Sequence, residues 1–201
     1  MGTMVRAESV VREIFAGSIA VAEVMKKDDE LIQGMVVAAS MISEALQGSH
    51  RLLLIGNSGS AAEAQRLASE FVCRHRTEQR ALPAFALNCN TTMMCAIASE
   101  YGFEDVFTRQ VEAFAQPGDV LWCISTNGDS REVVRAALLG EALRVKTIGL
   151  IGADGGALQK CVDLCLCAPA FETQRIQEAH TLISHAIAEL VEAELCVDSA
   201  I

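Results

Sequence analysis

The chain has 201 residues, 51% of them apolar and 4% aromatic, with a formal net charge of −10. That length suits one domain (residues 1–201) with an aliphatic core. The acidity argues against a nucleic-acid backbone or an anionic membrane surface as partner. No apolar run reaches the ~18 residues that a membrane span needs, and the charged N-terminus (Arg6, Glu8, Arg12, Glu13) does not read as a signal peptide, so a cytoplasmic protein is expected.

Residues 5–47 lack proline and place Ile14, Ile19, Val21, Val24, Leu31, Ile32, Met35, Val36, Ile42 and Leu46 at helical spacing. The spacing predicts two helices with a break near Lys26–Glu30. Their apolar content exceeds what one sheet face can cover, so a partner subunit is expected to bury the rest. From Arg51 a β/α alternation begins. Strands are predicted at 51–55, 84–87, 119–124, 146–151 and 163–167. Helices are predicted at 61–75, 92–99, 106–113, 131–144 and 174–195, with a short turn into 157–161. Continuous apolar strands separated by helices predict an α/β fold built on a parallel sheet covered on both faces.

Three strands end in glycine-containing turns that lead to helices, at 56–60, 125–130 and 152–156. Ligands in such sheets bind beyond the carboxyl ends of the strands. Gly56-x-x-Gly59 lacks the dinucleotide fingerprint spacing, so no nucleotide cofactor is expected. Eight cysteines (73, 89, 95, 123, 161, 165, 167 and 196) sit mostly in apolar segments. Cys161-x3-Cys165-x-Cys167 lacks the usual zinc spacing, and strand alternation sends its members to one face. Buried free thiols in a reducing compartment are expected in preference to a metal site or disulfide.

The stretch Leu121–Ser130 is an apolar run that stops in small hydroxyl residues and a glycine, directly before a helix. The unpaired N–H groups of a first helical turn and the helix dipole suit a phosphate there. Ser125, Thr126 and Ser130 add hydroxyl donors. The same residues suit a plain helix cap by Ser130 or Asp129.

His50 and His75 flank strand or helix ends and are expected to be solvated. On the last helix, at about 100° per residue, Gln177, Thr181, Ser184 and His185 form a neutral hydrogen-bonding wall. It suits a pocket or a subunit contact, and His180 lies too far round the helix to pair with His185. After the first glycine turn, Arg66, Glu70 and Arg74 recur at i, i+4, i+8, with Glu63 nearby. They form either a surface ion-pair ladder or a carboxylate that joins a histidine in proton transfer next to a carbonyl.

The ordered elements Gly56-Asn-Ser-Gly-Ser60, Ala62-Glu-Ala-Gln65, Ala68-Ser-Glu-Phe71, Tyr101-Gly-Phe103, Ile124-Ser-Thr126, Asp154-Gly-Gly156 and Arg175-Ile-Gln-Glu-Ala-His180 run through nearly the whole chain. In them the chain resembles phosphoheptose isomerases, of the sugar isomerase (SIS) fold. The resemblance implies a five-stranded parallel sheet flanked by helices, in a flavodoxin-like three-layer arrangement. It also implies a homotetramer that uses the N-terminal helices of residues 1–47. The implied reaction is sedoheptulose 7-phosphate to D-glycero-D-manno-heptose 7-phosphate, which feeds lipopolysaccharide or capsule synthesis. Ser125, Thr126 and Ser130, with Asn127, would hold the phosphate. Asn57, Ser58 and Gly59 would contact the sugar, Ser99 and Glu100 would lie on a substrate-contacting turn, and Gln177 would line the site. Glu70 and His185 match the catalytic carboxylate and its partner. One removes the proton next to the carbonyl to give an enediol, the other moves protons between the oxygens, and which does which stays open.

The chain departs from that family at three places. The family commonly binds zinc through a histidine one turn before the catalytic carboxylate, where this chain has Arg66. A guanidinium cannot ligate a metal, which leaves Glu70, Gln177 and His185 as a weak zinc set. Arg66 would either pair with Glu70 and weaken it as a base, or take over the cation's role towards the enediolate. The phosphate loop reads Ser125-Thr-Asn-Gly-Asp-Ser130 in place of Ser-Thr-Ser-Gly-Asn-Ser, so Asp129 must point away from the anion. Ser99-Glu100 replaces Asn-Asp, which points to a changed sugar preference. An isomerase is the expected function. The alternative is a non-catalytic SIS scaffold or phosphosugar-binding protein similar to the replication-initiator-associating protein; the retained Glu70 and His185 count against it.

Overall fold

The computed structural model describes residues 2–73 and 80–197, with side chains described for residues 6–73 and 80–195. Two long helices open the chain, α1 (Gly2–Met25) and α2 (Asp29–Gln47). They part at the charged break that the sequence predicts. Asp28 caps α2 by accepting from the Leu31 N–H at 3.0 Å, and Asp29 and Glu30 put favourable charge in its first turn.

The alternating part follows as β1 (Leu52–Gly56), α3 (Gly59–Val72), β2 (Ala84–Ala86), α4 (Thr91–Tyr101), α5 (Thr108–Phe114) and β3 (Val120–Ile124). It continues with α6 (Arg131–Ala142), β4 (Lys146–Ile151), β5 (Leu164–Cys167) and α7 (Thr173–Val197). Short 3₁₀ turns at Phe103–Asp105 and Leu158–Lys160 complete it. α5 starts two residues later than the apolar spacing predicts. The predicted end of α3 near Arg74 and His75 lies outside the described residues.

The sheet order is β2-β1-β3-β4-β5, every neighbouring pair parallel. β1 and β3 are buried along their full length, and the two-residue period of a strand divides their side chains between two cores. Leu52, Leu54 and Trp122 pack under α2, α3 and α7, while Leu53, Ile55 and Leu121 pack under α5 and α6. The strand order reverses between β1 and β3, and an open parallel sheet forms its ligand crevice at that point. The loops leaving β1 and β3 are therefore the ones that border it.

Val10, Phe15 and Ile19 on α1 and Ile32 and Val36 on α2 remain exposed, Phe15 and Ile19 by 64% and 63%. This is the apolar surplus that the sequence anticipates. The seven cysteines with described side chains are free thiols, but Cys73, Cys89 and Cys95 are exposed where burial is expected, and only Cys123 is fully buried. Cys165 and Cys167 share a face of β5, their sulfurs 3.8 Å apart, and pack with Cys161 against the α5/α6 core. No helix among the described residues is long and apolar enough to cross a membrane.

Candidate active site

Where β3 ends, the Ser125 hydroxyl organises the following loop. Its Oγ lies 3.1 Å from Ser130 Oγ and 3.2 Å from Asn127 Oδ1, and accepts from the Gly128 N–H at 3.2 Å. Ser130 is the N-cap residue of α6, yet its side chain makes no capping hydrogen bond. Asp129 turns to the neighbouring loop, where its carboxylate accepts from the Ala157 N–H at 2.8 Å. The plain-cap reading thus fails for both residues. Two adjacent hydroxyls stand instead at a helix N-terminus, where unpaired N–H groups and the dipole favour an anion. Gly128 has φ +69°, and a Cβ there would come within 2.1 Å of the Gly155 carbonyl oxygen, so only glycine lets these two turns close. Thr126 is half-buried and Asn127 exposed.

β1 runs into Asn57 and Ser58, both exposed. Asn57 Nδ2 donates to Glu132 Oε1 at 3.0 Å, and Glu132 is buried in the first turn of α6. This hydrogen bond ties the two crevice loops together. Ser58 sits at φ +54°, ψ −121°, a region that residues with a side chain seldom adopt and that gathers at functional sites. Gly59 opens α3, and a Cβ there would lie 2.1 Å from Gln177 Nε2. Its bare backbone admits the Gln177 amide from α7.

The neutral wall of α7 faces α3. His185 Nε2 lies 3.2 Å from Glu70 Oε1. Arg66 stands beside them: its Nη1 is hydrogen-bonded to Glu70 Oε1 and lies 2.7 Å from His185 Nε2. Its other edge is held by Glu63, through Nη2 at 2.6 Å and Nε at 3.0 Å. Thr181 on α7 donates to the same Glu63 carboxylate at 3.2 Å. Burial pushes the Glu63 carboxyl up, but the Arg66 hydrogen bonds and charge, with Thr181, outweigh it and hold the group below the usual carboxylate range. Burial also works against the Arg66 charge, and the two glutamates more than offset it. The surface-ladder reading of Arg66 and Glu70 is therefore incomplete, because the ladder reaches across to α7. Arg74 lies outside the described residues.

A cavity of about 480 Å³ opens beside this cluster, lined by Gly59, Ser60, Glu63, Arg66, Gln177 and His180 among others. His180 is buried, its Nε2 has no hydrogen-bond partner among the described residues, and its ring donates to the Ile151 carbonyl; burial lowers its pKa to about 4. A second cavity of about 370 Å³, around Phe85, Met93 and Phe114, is apolar and holds none of the candidate residues.

Ser99 and Glu100 occupy the exposed last turn of the α4 helix instead of a loop, and join none of these hydrogen bonds. Two residues of the cluster escape sequence reasoning. Glu63 is not singled out as a partner of Arg66, although their i, i+3 spacing is visible. Glu132 is missed because nothing in the pattern marks it as buried.

Zinc takes nitrogen and oxygen donors at ~2.0–2.2 Å. Here the oxygen and nitrogen best placed to share an ion both bond to the Arg66 guanidinium, which has no lone pair to offer and repels a dication. The residues present do not fit zinc. Among the described residues, no group of three His, Cys, Asp or Glu side chains is placed to hold a metal ion.

Residues 18–152 match the SIS domain family. The phosphoheptose isomerase of Geobacter sulfurreducens is 43% identical over 187 residues, spanning 92% of this chain and 99% of that protein. That of Roseiflexus sp. is 45% identical over 174 residues, 86% of this chain and 88% of its own. The solved phosphoheptose isomerase of Neisseria gonorrhoeae superposes with a TM-score of 0.86 at 35% identity, covering 92% of this chain and 99% of that one. The chain belongs to the phosphoheptose isomerase family of SIS-domain proteins.

Proposed function

We propose that the chain isomerises sedoheptulose 7-phosphate to D-glycero-D-manno-heptose 7-phosphate through an enediol. One observation carries the chemistry: Glu70 Oε1 and His185 Nε2 stand 3.2 Å apart, two groups that can exchange protons with a substrate held between α3 and α7. One takes the proton from the carbon next to the carbonyl, and the other transfers a proton between the two oxygens. A scaffold has no need of such a pair.

Ser125, Thr126 and Ser130, with Asn127, are assigned to the phosphate, since two of their hydroxyls meet at the α6 N-terminus. Asn57, Ser58, Gly59 and Gln177 are assigned to the sugar. Ser99 and Glu100, exposed at the end of α4, are assigned to a substrate contact. No nucleotide cofactor takes part in this scheme. The exposed apolar stripe of α1 and α2 supports assembly into a homotetramer. The reaction belongs in the cytoplasm, supplying heptose for lipopolysaccharide or capsule.

Incubation with sedoheptulose 7-phosphate, followed by proton NMR of the sugar, tests the reading. Appearance of the aldoheptose signals is expected. Binding without any new anomeric signal would overturn it in favour of a phosphosugar-binding protein.

A further inference from the structure

We infer that Arg66 supplies, from within the chain, the fixed positive charge of this site in place of a metal ion, and that Glu63 is the positioning residue that aims it. The inference rests on the isomerase reading above and adds to it the electrostatic group.

The geometry assigns each guanidinium nitrogen a separate task. Glu63 takes the Nε and Nη2 edge side-on, at 3.0 and 2.6 Å, the planar fork that suits a carboxylate. Thr181 on α7 fixes the same carboxylate from the far side at 3.2 Å. Nη1 is left over, and its two hydrogens point to Glu70 Oε1 and His185 Nε2. A guanidinium only donates, so His185 Nε2 is the acceptor in that contact. Arg66 thereby fixes the neutral imidazole tautomer, with the Nε2 lone pair accepting from Nη1 and the ring proton on Nδ1.

The charge arrangement fits the reaction. Deprotonation beside a carbonyl builds negative charge on the sugar oxygens, and a preoriented cation at that point lowers the barrier without reorganising. Arg66 lines the cavity beside the pair and touches both of its members. Glu70 Oε1 and His185 Nε2, 3.2 Å apart, are spaced as two ligands of one tetrahedral ion at ~2.0–2.2 Å would be. The guanidinium therefore blocks a donor pair that would otherwise suit a metal, and replacing it should open that place.

Zinc titration by calorimetry and turnover of sedoheptulose 7-phosphate, both on full-length chelator-treated protein, test this together. The wild type is expected to bind no stoichiometric zinc and to keep its kcat after chelation. Arg66→His, which adds an imidazole one turn from Glu70, is expected to bind one zinc per chain. Arg66→Ala should lose about 10²–10³-fold in kcat, recovered in part by added guanidinium ion, a rescue that a merely structural role would not give. Glu63→Gln should lower kcat more than it raises KM. One zinc per wild-type chain, or activity lost on chelation and restored by zinc, would overturn the inference. If the wild type turns over no heptose phosphate, the isomerase reading fails. In that case the zinc titrations of wild type and Arg66→His alone decide whether Arg66 holds the cation's place.

Discussion

Nη1 of Arg66 lies 2.7 Å from Nε2 of His185, although 119 residues of sequence separate them. The contact exists because α3 and α7 pack side by side on one face of the sheet. Residues on two helices that look like surface charges and a neutral stripe in the sequence thus become a single cluster. The same packing sets Glu70 against His185 and Glu63 against Thr181.

Removing either member of the proposed proton-transfer pair should stop catalysis and spare the fold. Glu70→Gln and His185→Ala are each expected to lower kcat by about 10²–10⁴-fold, with an unchanged far-ultraviolet circular dichroism spectrum. Retention of more than a tenth of the activity in either variant would remove that residue from the mechanism.

Gly128 tests the closure of the β3–α6 loop, the proposed phosphate site. Its φ of +69° costs a residue with a side chain about 1–2 kcal/mol, and the Cβ would also strike the Gly155 carbonyl oxygen. Gly128→Ala should lower the melting temperature and weaken inorganic phosphate binding together. A variant as stable as the wild type, with unchanged phosphate affinity, would show that the two turns are not coupled.

Much of the fold, and the grouping of the candidate site residues, is legible in the sequence, and what escapes has a physical pattern. The five strands and the β3–α6 loop show because apolar runs and hydroxyl-glycine turns are local signals. The order β2-β1-β3-β4-β5 depends on pairing between distant segments, and periodicity does not report it. Asp129 illustrates the limit well. Its charge beside an anion loop is plain in the sequence, but its partner, the Ala157 N–H, sits on a different turn that only the fold brings near. Glu63 escapes for the opposite reason: i, i+3 ion pairs on helices are common and mostly solvated.

Asp129→Asn keeps an acceptor for Ala157 and removes the charge. Over roughly 8 Å of well-solvated space that charge opposes a phosphate by about 0.5 kcal/mol. The substitution should therefore tighten phosphosugar binding about twofold and leave the melting temperature unchanged. Weaker binding would mean that the carboxylate assists the anion in some way.

His180 gives the stability of the chain a dependence on pH. Its folded pKa is lowered to about 4 from an ordinary 6.5 by burial, so the native state holds the ring neutral. As pH falls below 6.5 the unfolded chain takes up a proton that the native chain refuses, and stability declines until the folded group titrates near 4. At about 1.36 kcal/mol for each pH step between those two values, the loss is on the order of 3 kcal/mol. Glu63 acts lower down: its depressed folded pKa stabilises the native state above about 4.5, and that gain is lost only on further acidification. Urea midpoints from pH 7 to 4.5 should fall for the wild type and stay flatter for His180→Asn. Parallel curves would remove His180 as the cause.

The apolar stripe of α1 should be an assembly surface. Light scattering is expected to give four chains per particle for the wild type and fewer for a Phe15→Glu, Ile19→Glu double variant. A wild-type monomer at micromolar concentration would contradict the assembly proposal.

The most direct measurement of the central claim is solvent-deuterium uptake by sedoheptulose 7-phosphate, followed by NMR in deuterated water. The proton-transfer mechanism predicts enzyme-dependent label at the two carbons of the enediol, abolished in Glu70→Gln and in His185→Ala. Label that persists in both variants, or aldoheptose phosphate formed by both at the wild-type rate, would contradict it.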